Sequence, residues 1–246
     1  MKTVSKLTLV AVLALSTQLA QANTCLGNCG TLGADGVVSV SPLGGDYQYV
    51  STDQGVTGVS PYNLGVETNG SKFTTSLFSA NAGSLLDFYF NYVTSDGSGF
   101  SDYGWARLLN GDGSEAALLF TARTQASGNI IPGQGLPTPD AAIPTATIIP
   151  GGPAWSPLGS SSGRCFDAGC GYTGWVESIF TIATAGDYML QYGVVNWQDT
   201  GFQSGLAVDG ITVDGEPISP VPLPAALPLM FSALGALGFV RHKVKK

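Results

Sequence analysis

The chain has 246 residues and a formal net charge of −7 at pH 7, with 17 acidic residues, 10 basic residues and a single histidine. Between residues 23 and 220, all 17 acidic residues meet only four basic ones, so this body carries −13 and does not suit nucleic acids, whose phosphates require a basic surface. His242 lies outside the body, which excludes a Ser–His–Asp or Cys–His catalytic site and a His-ligated metal centre within it.

The N-terminus has the composition of a secretory signal peptide. Lys2 and Lys6 precede an apolar run over residues 7–15, and a small-x-small sequence ends at Ala22. This order of a basic region, an apolar region and a cleavage site predicts a signal peptide over residues 1–22, cut between Ala22 and Asn23. We therefore expect the mature protein to be exported.

Four cysteines lie in the body, and an exported protein is expected to oxidise them to disulfides. Cys25 and Cys29 are near the mature N-terminus, whereas Cys165 and Cys170 come late in the body. Four cysteines allow three pairings, and the short spacings favour two local bridges over two crossed ones. A zinc site is the competing interpretation, but neither pair has the usual two-residue spacing.

Short runs of β-branched and aromatic residues alternate with turn signals through the body, which predicts an all-β fold. Leu86, Phe88 and Phe90 recur at every second position, as on the buried face of a strand. The predicted strands are 36–40, 46–50, 72–78, 84–94, 103–110, 116–123, 174–182, 186–197 and 207–213, with Asn69-Gly70 as a tight turn before the third. We expect residues 23–220 to form one antiparallel β-sandwich of jelly-roll type.

The loop from Thr94 to Tyr103 is a candidate metal site. Asp96 and Asp102 bracket a Gly- and Ser-rich segment, and carboxylate and carbonyl oxygens are the ligands that Ca²⁺ prefers. The alternative is an ordinary turn with aspartate caps. A second candidate Ca²⁺ set is Asn196, Asp199 and Asp209; no other cofactor is predicted.

Residues 124–160 form a Pro- and Gly-rich excursion without a strand pattern, and such long loops are usually functional or mobile. Trp155 lies in this excursion and is expected to be exposed, which makes it a candidate for stacking on sugar rings. The alternative is an insertion that wraps an edge of a sheet. Trp105, Trp175 and Trp197 lie in strand patterns and are expected in the core.

The last 26 residues, 221–246, read as a membrane segment. From Val221 to Val240 the only clearly polar side chain is Ser232, and this length is about enough to cross a bilayer as a helix. The basic end at 241–246 should stay on the cytoplasmic side. We expect a transmembrane helix over residues 223–240, with the body facing outward.

The order of a Pro-x-Pro motif, an apolar helix and a basic end resembles the sorting tail of PEP-CTERM proteins. The motif here is Pro222-Leu223-Pro224-Ala225, with Leu223 where the commoner form has Glu. The body segments 90–103 and 175–213 look like the β-sandwich domains that precede such tails. The resemblance implies cleavage at this motif by an exosortase, a membrane sorting protease, in a Gram-negative bacterium that makes exopolysaccharide. An ordinary C-terminal anchor helix is the alternative.

These features predict a non-enzymatic surface or extracellular-matrix protein of a biofilm. Its precursor would be anchored in the inner membrane, and its product would be found at the cell surface or outside the cell. The first alternative is a carbohydrate-binding module, with Ca²⁺ assisting and polysaccharide as the partner. The second is a carboxylate-dependent glycosidase, although no acid–base pair is identifiable from the sequence.

Overall fold

The computed structural model describes residues 22–218, which form two antiparallel β-sheets. Fourteen strands are assigned in this part of the chain: β1 Thr24–Leu26, β2 Asn28–Leu32, β3 Tyr47–Ser51, β4 Glu67–Thr74, β5 Phe78–Ala80, β6 Leu85–Thr94, β7 Tyr103–Asn110, β8 Glu115–Arg123, β9 Ile149–Pro150, β10 Gly171–Tyr172, β11 Val176–Thr181, β12 Gly186–Trp197, β13 Ser204–Val213 and β14 Glu216–Pro217. The first sheet has the order β1-β4-β12-β7-β8, with β5 beside β12. The second has the order β2-β3-β13-β6-β10-β9, with β11 beside β6 and β14 beside β13. The predicted all-β, two-sheet architecture is confirmed.

The core lies between the two sheets. Leu86, Phe88 and Phe90 of β6 are fully buried, and the Phe90 ring stacks on Phe120 of the opposite sheet with 3.9 Å between ring centres. The every-second-residue pattern of β6 is therefore an inward face, as predicted. Burial of these rings stabilises the packing of the two sheets, since aromatic side chains bury large apolar areas.

The N-terminal strands cross from one sheet to the other. β1 pairs with β4 in the first sheet and β2 pairs with β3 in the second, with Gly27 between them at a φ of +87°. A Cβ at Gly27 would lie 2.2 Å from Ser71 Oγ, so only glycine fits this crossing. The Cys25–Cys29 disulfide spans the same crossing and ties the two strands together.

Two sequence predictions near the N-terminus are wrong. Residues 36–40 form no strand, only an isolated bridge between Asp35 and Val38, and β3 pairs with β2 and β13 instead of closing a local hairpin. Asn69-Gly70 lies inside β4 rather than in a turn. The lack of a side chain at Gly70 permits close strand approach, because a Cβ there would lie 2.2 Å from the carbonyl oxygen of Val194.

The Pro-rich excursion at 124–160 wraps the edge between β8 and β11. Asp140 N–H donates to the Leu118 carbonyl at 2.8 Å, and Ala142 bridges to Ile179. Five of its apolar side chains belong to the buried hydrophobic clusters of the sandwich: Ile130, Ile131, Ala146, Trp155 and Leu158. The excursion is thus a structural cover of the sandwich.

The last described residue, Ile218, lies far from the end of the sandwich that carries Thr94 and Ser204. β13 begins at Ser204, opposite Thr94, and runs to Val213, opposite Leu86. Ile218 N–H donates to Ile211 near the Val213 end of β13, and Ile218 lines a cleft of about 250 Å³ together with Asn23. Both ends of the described chain therefore lie together, away from the end that carries Thr94 and Ser204.

Within residues 22–218, no helix is long and apolar enough to cross a membrane. The predicted signal peptide up to Gln21, the transmembrane helix over 223–240 and the processing motif Pro222–Ala225 lie outside the described residues.

Candidate functional site

Three loops meet at the Thr94–Ser204 end of the sandwich, and we call residues 95–102, 164–170 and 198–203 together the loop end. The Ser95 N–H and hydroxyl donate to the Gln203 carbonyl at 3.1 and 2.8 Å. The Phe166 N–H donates to the Ser95 carbonyl at 2.9 Å, and the Ser98 N–H donates to Ala168 at 2.8 Å. These bonds fix the backbone on both sides of Asp96.

Both predicted local disulfides, Cys25–Cys29 and Cys165–Cys170, are formed, and together they pair all four cysteines of the chain. The second closes the middle loop of the loop end. Its residue Asp167 packs against Gly97 so closely that a Cβ at Gly97 would lie 2.6 Å from Asp167 Cβ. The disulfide loop therefore supports the backbone next to Asp96.

Asp102 is fully buried and held from several sides. Its Oδ1 accepts a hydrogen bond from the Trp197 N–H at 2.8 Å, and its Oδ2 accepts one from Ser204 Oγ at 2.6 Å. Tyr92 Oη donates to its backbone carbonyl at 2.8 Å. Burial raises the pKa of Asp102 well above its usual range, and the nearby Asp96 carboxylate raises it further.

Asp96 is 1% exposed, and its two carboxylate oxygens differ. Oδ1 accepts a hydrogen bond from the Gly97 N–H at 2.7 Å, whereas Oδ2 has no hydrogen-bond partner among the described residues. Burial raises the pKa of Asp96 to about 7; the Gly97 N–H opposes this shift and Asp199 adds to it. A carboxylate with one buried, unpaired oxygen is a candidate ligand for a cation or a water molecule.

Asn196 belongs to the same buried polar cluster. Its Nδ2 donates to Asn69 Oδ1 at 2.9 Å and to Gln203 Oε1 at 3.3 Å, and its Oδ1 is also unpaired within the described part of the chain. Asp199, half-buried, accepts a hydrogen bond from Gly201 N–H at 3.0 Å. Asp96 and Asp102 of the first predicted Ca²⁺ set therefore lie at the same end of the sandwich as Asn196 and Asp199 of the second.

Asp209 does not join this cluster. It pairs with Tyr89 in the middle of the second sheet, and its Oδ2 accepts a hydrogen bond from Ser41. Placing Asp209 beside Asn196 was wrong, because β12 and β13 belong to different sheets. In residues 22–218, no three side chains of the types His, Cys, Asp and Glu are arranged to hold one metal ion, so any cation here must also take amide, main-chain or water oxygens.

The outer surface of the loop end is aromatic. Phe166 is 48% exposed, and its ring centre lies 5.4 Å from Phe100 and 5.1 Å from Phe202. The Arg164 guanidinium lies 5.5 Å from the Phe202 ring centre. No local sequence pattern indicates this trio, because its members come from three separate loops.

The expected exposure of Trp155 is wrong. Trp155 is 1% exposed, and its Nε1–H donates to Tyr47 Oη at 2.9 Å. Gly205 makes room for the ring, since a Cβ there would lie 2.4 Å from Trp155 Cζ3. A buried ring cannot stack on a sugar, so Trp155 is a core residue that attaches the excursion to β3 and β13.

A cleft of about 400 Å³ beside β4 has Glu67 as its one acidic lining residue among those described. Burial alone would raise the pKa of Glu67, but hydrogen bonds from Leu64 N–H, Tyr103 Oη and Ser60 Oγ outweigh it and hold the pKa below the usual value. A glycosidase needs two carboxylates across a cleft, one of them kept protonated. Glu67 instead orders the loop before β4.

Asp87 and Glu177 form a close acidic pair on the outer face of the second sheet. Burial raises the pKa of Asp87, and the adjacent Glu177 raises it further, while Tyr89 Oη donates to Glu177 at 3.0 Å. Asp87 Oδ1 has no hydrogen-bond partner among the described residues, and the two carboxyls lie side by side on one face of the sheet.

No family model, curated protein or solved structure matches the chain.

Proposed function

We propose that this protein is a non-enzymatic, exported surface or extracellular-matrix protein of a Gram-negative bacterium. In this proposal residues 1–22 direct export, residues 223–240 hold the precursor in the inner membrane, and an exosortase cuts at Pro222–Ala225. The product then associates with exopolysaccharide in a biofilm. A jelly-roll arrangement of the two sheets is part of the same proposal.

The observation that carries the proposal is the pairing of all four cysteines in two disulfides within an acidic β-sandwich. Such bridges persist in oxidising compartments and are reduced in the cytosol. A body charge of −13 also favours solubility and repels anionic lipid headgroups. These properties suit a domain that works outside the membrane.

Substitution of the sorting motif tests the proposal. The double variant Pro222→Ala, Pro224→Ala should accumulate in the inner membrane with its tail retained, and less protein should reach the surface. The control Pro217→Ala changes an exposed proline of β14 and should be sorted like the parent protein. Fractionation and immunoblotting measure both, and normal sorting of the double variant would contradict exosortase processing.

A second candidate function is carbohydrate binding, and the exposed aromatic trio is the observation that favours it. The faces of aromatic rings bind sugar rings through apolar C–H groups. Phe166 is the exposed ring of the trio, and Arg164 lies over the neighbouring Phe202 ring. Retention on the native exopolysaccharide should fall at least tenfold in Phe166→Ala. Leu43→Ala, which removes an exposed apolar side chain elsewhere, should leave retention unchanged. Equal retention of both variants would exclude the trio as the binding surface.

A further inference from the structure

We propose that the loop end binds one Ca²⁺ ion, with Asp96 Oδ2 and Asn196 Oδ1 as ligands and with Asp102 and Asp199 supplying additional negative charge. This inference goes beyond the proposed sorting and does not depend on it. It rests on three observations: two unpaired buried oxygens, an uncompensated group of acids, and a donor set made only of oxygen.

The first observation is the pair of buried oxygens without partners. Asp96 and Asn196 are at most 1% exposed, yet one oxygen of each side chain lacks a hydrogen bond within residues 22–218. Leaving a buried oxygen unpaired is costly, so such atoms in folded proteins usually contact an ion or a water molecule. Two acceptors fix the orientation of the Asn196 amide, because Nδ2 donates to both and Oδ1 therefore points the other way.

Short chains of contacts connect these two side chains. Asn196 Nδ2 donates to the side-chain oxygen of Gln203. The main-chain carbonyl of Gln203 accepts from Ser95, the residue before Asp96. The residue after Asn196 donates its N–H to Asp102 Oδ1. Ser204 Oγ then joins Asp102 Oδ2 to Thr94 Oγ1, which accepts from the Asp96 N–H at 3.1 Å. Asp96, Asp102 and Asn196 therefore enclose the same small region at the end of the core.

The second observation is missing compensation of charge. Asp96 and Asp102 are fully buried acids, and the half-buried Asp199 lies in the same loop end. In residues 22–218 one ion pair is formed, between Arg107 and Glu115, and it lies elsewhere. Two guanidinium groups at this end of the body, those of Arg123 and Arg164, lie over aromatic rings and form no ion pair with these acids. A bound divalent cation would supply the missing positive charge.

The third observation is the chemistry of the donors. The cluster contains carboxylate, amide and hydroxyl oxygens, and the body offers neither histidine nor a free thiol. Ca²⁺ takes six to eight oxygen ligands in flexible geometry, including carbonyls and water, whereas Zn²⁺ favours nitrogen and sulfur. Because Asp96 and Asn196 supply only two of these ligands, main-chain carbonyls and water would complete the coordination shell of the ion. Extracellular Ca²⁺ modules of this kind bind with a Kd of about 0.1–1 mM.

Calorimetry with CaCl₂ tests the proposal on the full-length protein, purified in a mild detergent and stripped with a chelator. We expect one Ca²⁺ per chain and a higher thermal unfolding temperature, with Mg²⁺ binding at least tenfold more weakly. Asp96→Asn, which keeps the side-chain volume, should weaken Ca²⁺ binding at least tenfold. Asp46→Asn makes the same charge change at an exposed site and should bind within twofold of the parent protein.

Two results would overturn the proposal. One is the absence of both binding heat and thermal shift up to about 5 mM Ca²⁺, well above the expected Kd; the buried acids would then be protonated or paired with water. The other is an unchanged affinity in Asp96→Asn. If Asp96→Asn fails to fold, Asp199→Asn replaces it, because Asp199 is half-buried and its loss should still weaken binding several-fold.

Discussion

Replacement of Trp155 by alanine tests how the Pro-rich excursion is attached. A buried Trp covers roughly 150–250 Å², which at about 25 cal/mol per Å² corresponds to roughly 4–6 kcal/mol of transfer free energy. A partly compact unfolded chain reduces this value by about 10–40%. The variant also removes the donor to Tyr47 Oη. We therefore expect Trp155→Ala to lower the free energy of unfolding by about 4 kcal/mol, within the range known for Trp→Ala changes.

Urea denaturation of the purified protein, followed by circular dichroism, measures this loss. The control is Leu43→Ala, because Leu43 is 60% exposed and its removal should change stability by less than about 0.5 kcal/mol. A loss below about 1 kcal/mol for Trp155→Ala would refute the placement of this ring in the core. Loss of glycan retention with unchanged stability would instead restore Trp155 as a stacking platform.

Three further predictions concern the N-terminal crossing, the disulfide loop and the buried acids. Gly27→Ala should lower the unfolding midpoint in urea, since its Cβ would clash with Ser71 and its φ of +87° disfavours other residues; an unchanged midpoint would contradict the crossing. The double variant Cys165→Ser, Cys170→Ser should lose about 2 kcal/mol of stability in the same assay, as expected for closing a loop this short, and become sensitive to proteolysis at the loop end. The pKa of Asp96 is about 7 in the folded protein and near 3.9 in the unfolded chain. In the presence of a chelator, this difference contributes stability that is fully present below about pH 4 and is lost as the pH rises through 7. Asp102 and Asp199 are the acids that face the Asp96 carboxyl. The parent protein should be more stable at pH 5 than at pH 8, and Asp96→Asn should reduce this difference in stability. An equal difference in both proteins would refute the assignment to Asp96.

Strong periodic patterns allowed much of the fold to be predicted. The expected strands over 84–94, 103–110, 116–123 and 186–197 coincide with β6, β7, β8 and β12 to within a residue at each end. β6, β7 and β12 lie inside their sheets and the edge strand β8 is covered by the excursion, so the positions of these strands that face the core must be apolar. The two local disulfides were also predictable, because four- and five-residue separations suit short bridged loops.

Where long-range contacts override local signals, the predictions were wrong. Asn69-Gly70 is a strong turn signal in isolation, but at this point β4 passes within contact of Val194, so that Gly70 serves close strand packing. Trp155 lies among prolines and glycines that are typical of exposed loops. Its burial depends on Tyr47 and Gly205, about 100 and 50 residues away, which no local pattern indicates.

The candidate site was predicted in parts only. Asp96 and Asp102 were identified from their oxygen chemistry, and Asn196 and Asp199 were placed in a separate set. Their convergence depends on the pairing of β12 with β7 and of β13 with β6, which brings the loop between β6 and β7 and the loop between β12 and β13 to one end. Because the aromatic trio is assembled from three loops, composition and spacing contain no sign of it.

The intact mass of the protein isolated from its native cells tests the central claim most directly. Export and sorting predict a chain that starts at Asn23 and ends within Pro222–Ala225, alone or with a covalent adduct that identifies the anchor. A chain that still ends at Lys246 in cells with an active exosortase would contradict the proposed processing and leave the C-terminus as an ordinary membrane anchor. A chain that still starts at Met1 would contradict export through a cleaved signal peptide.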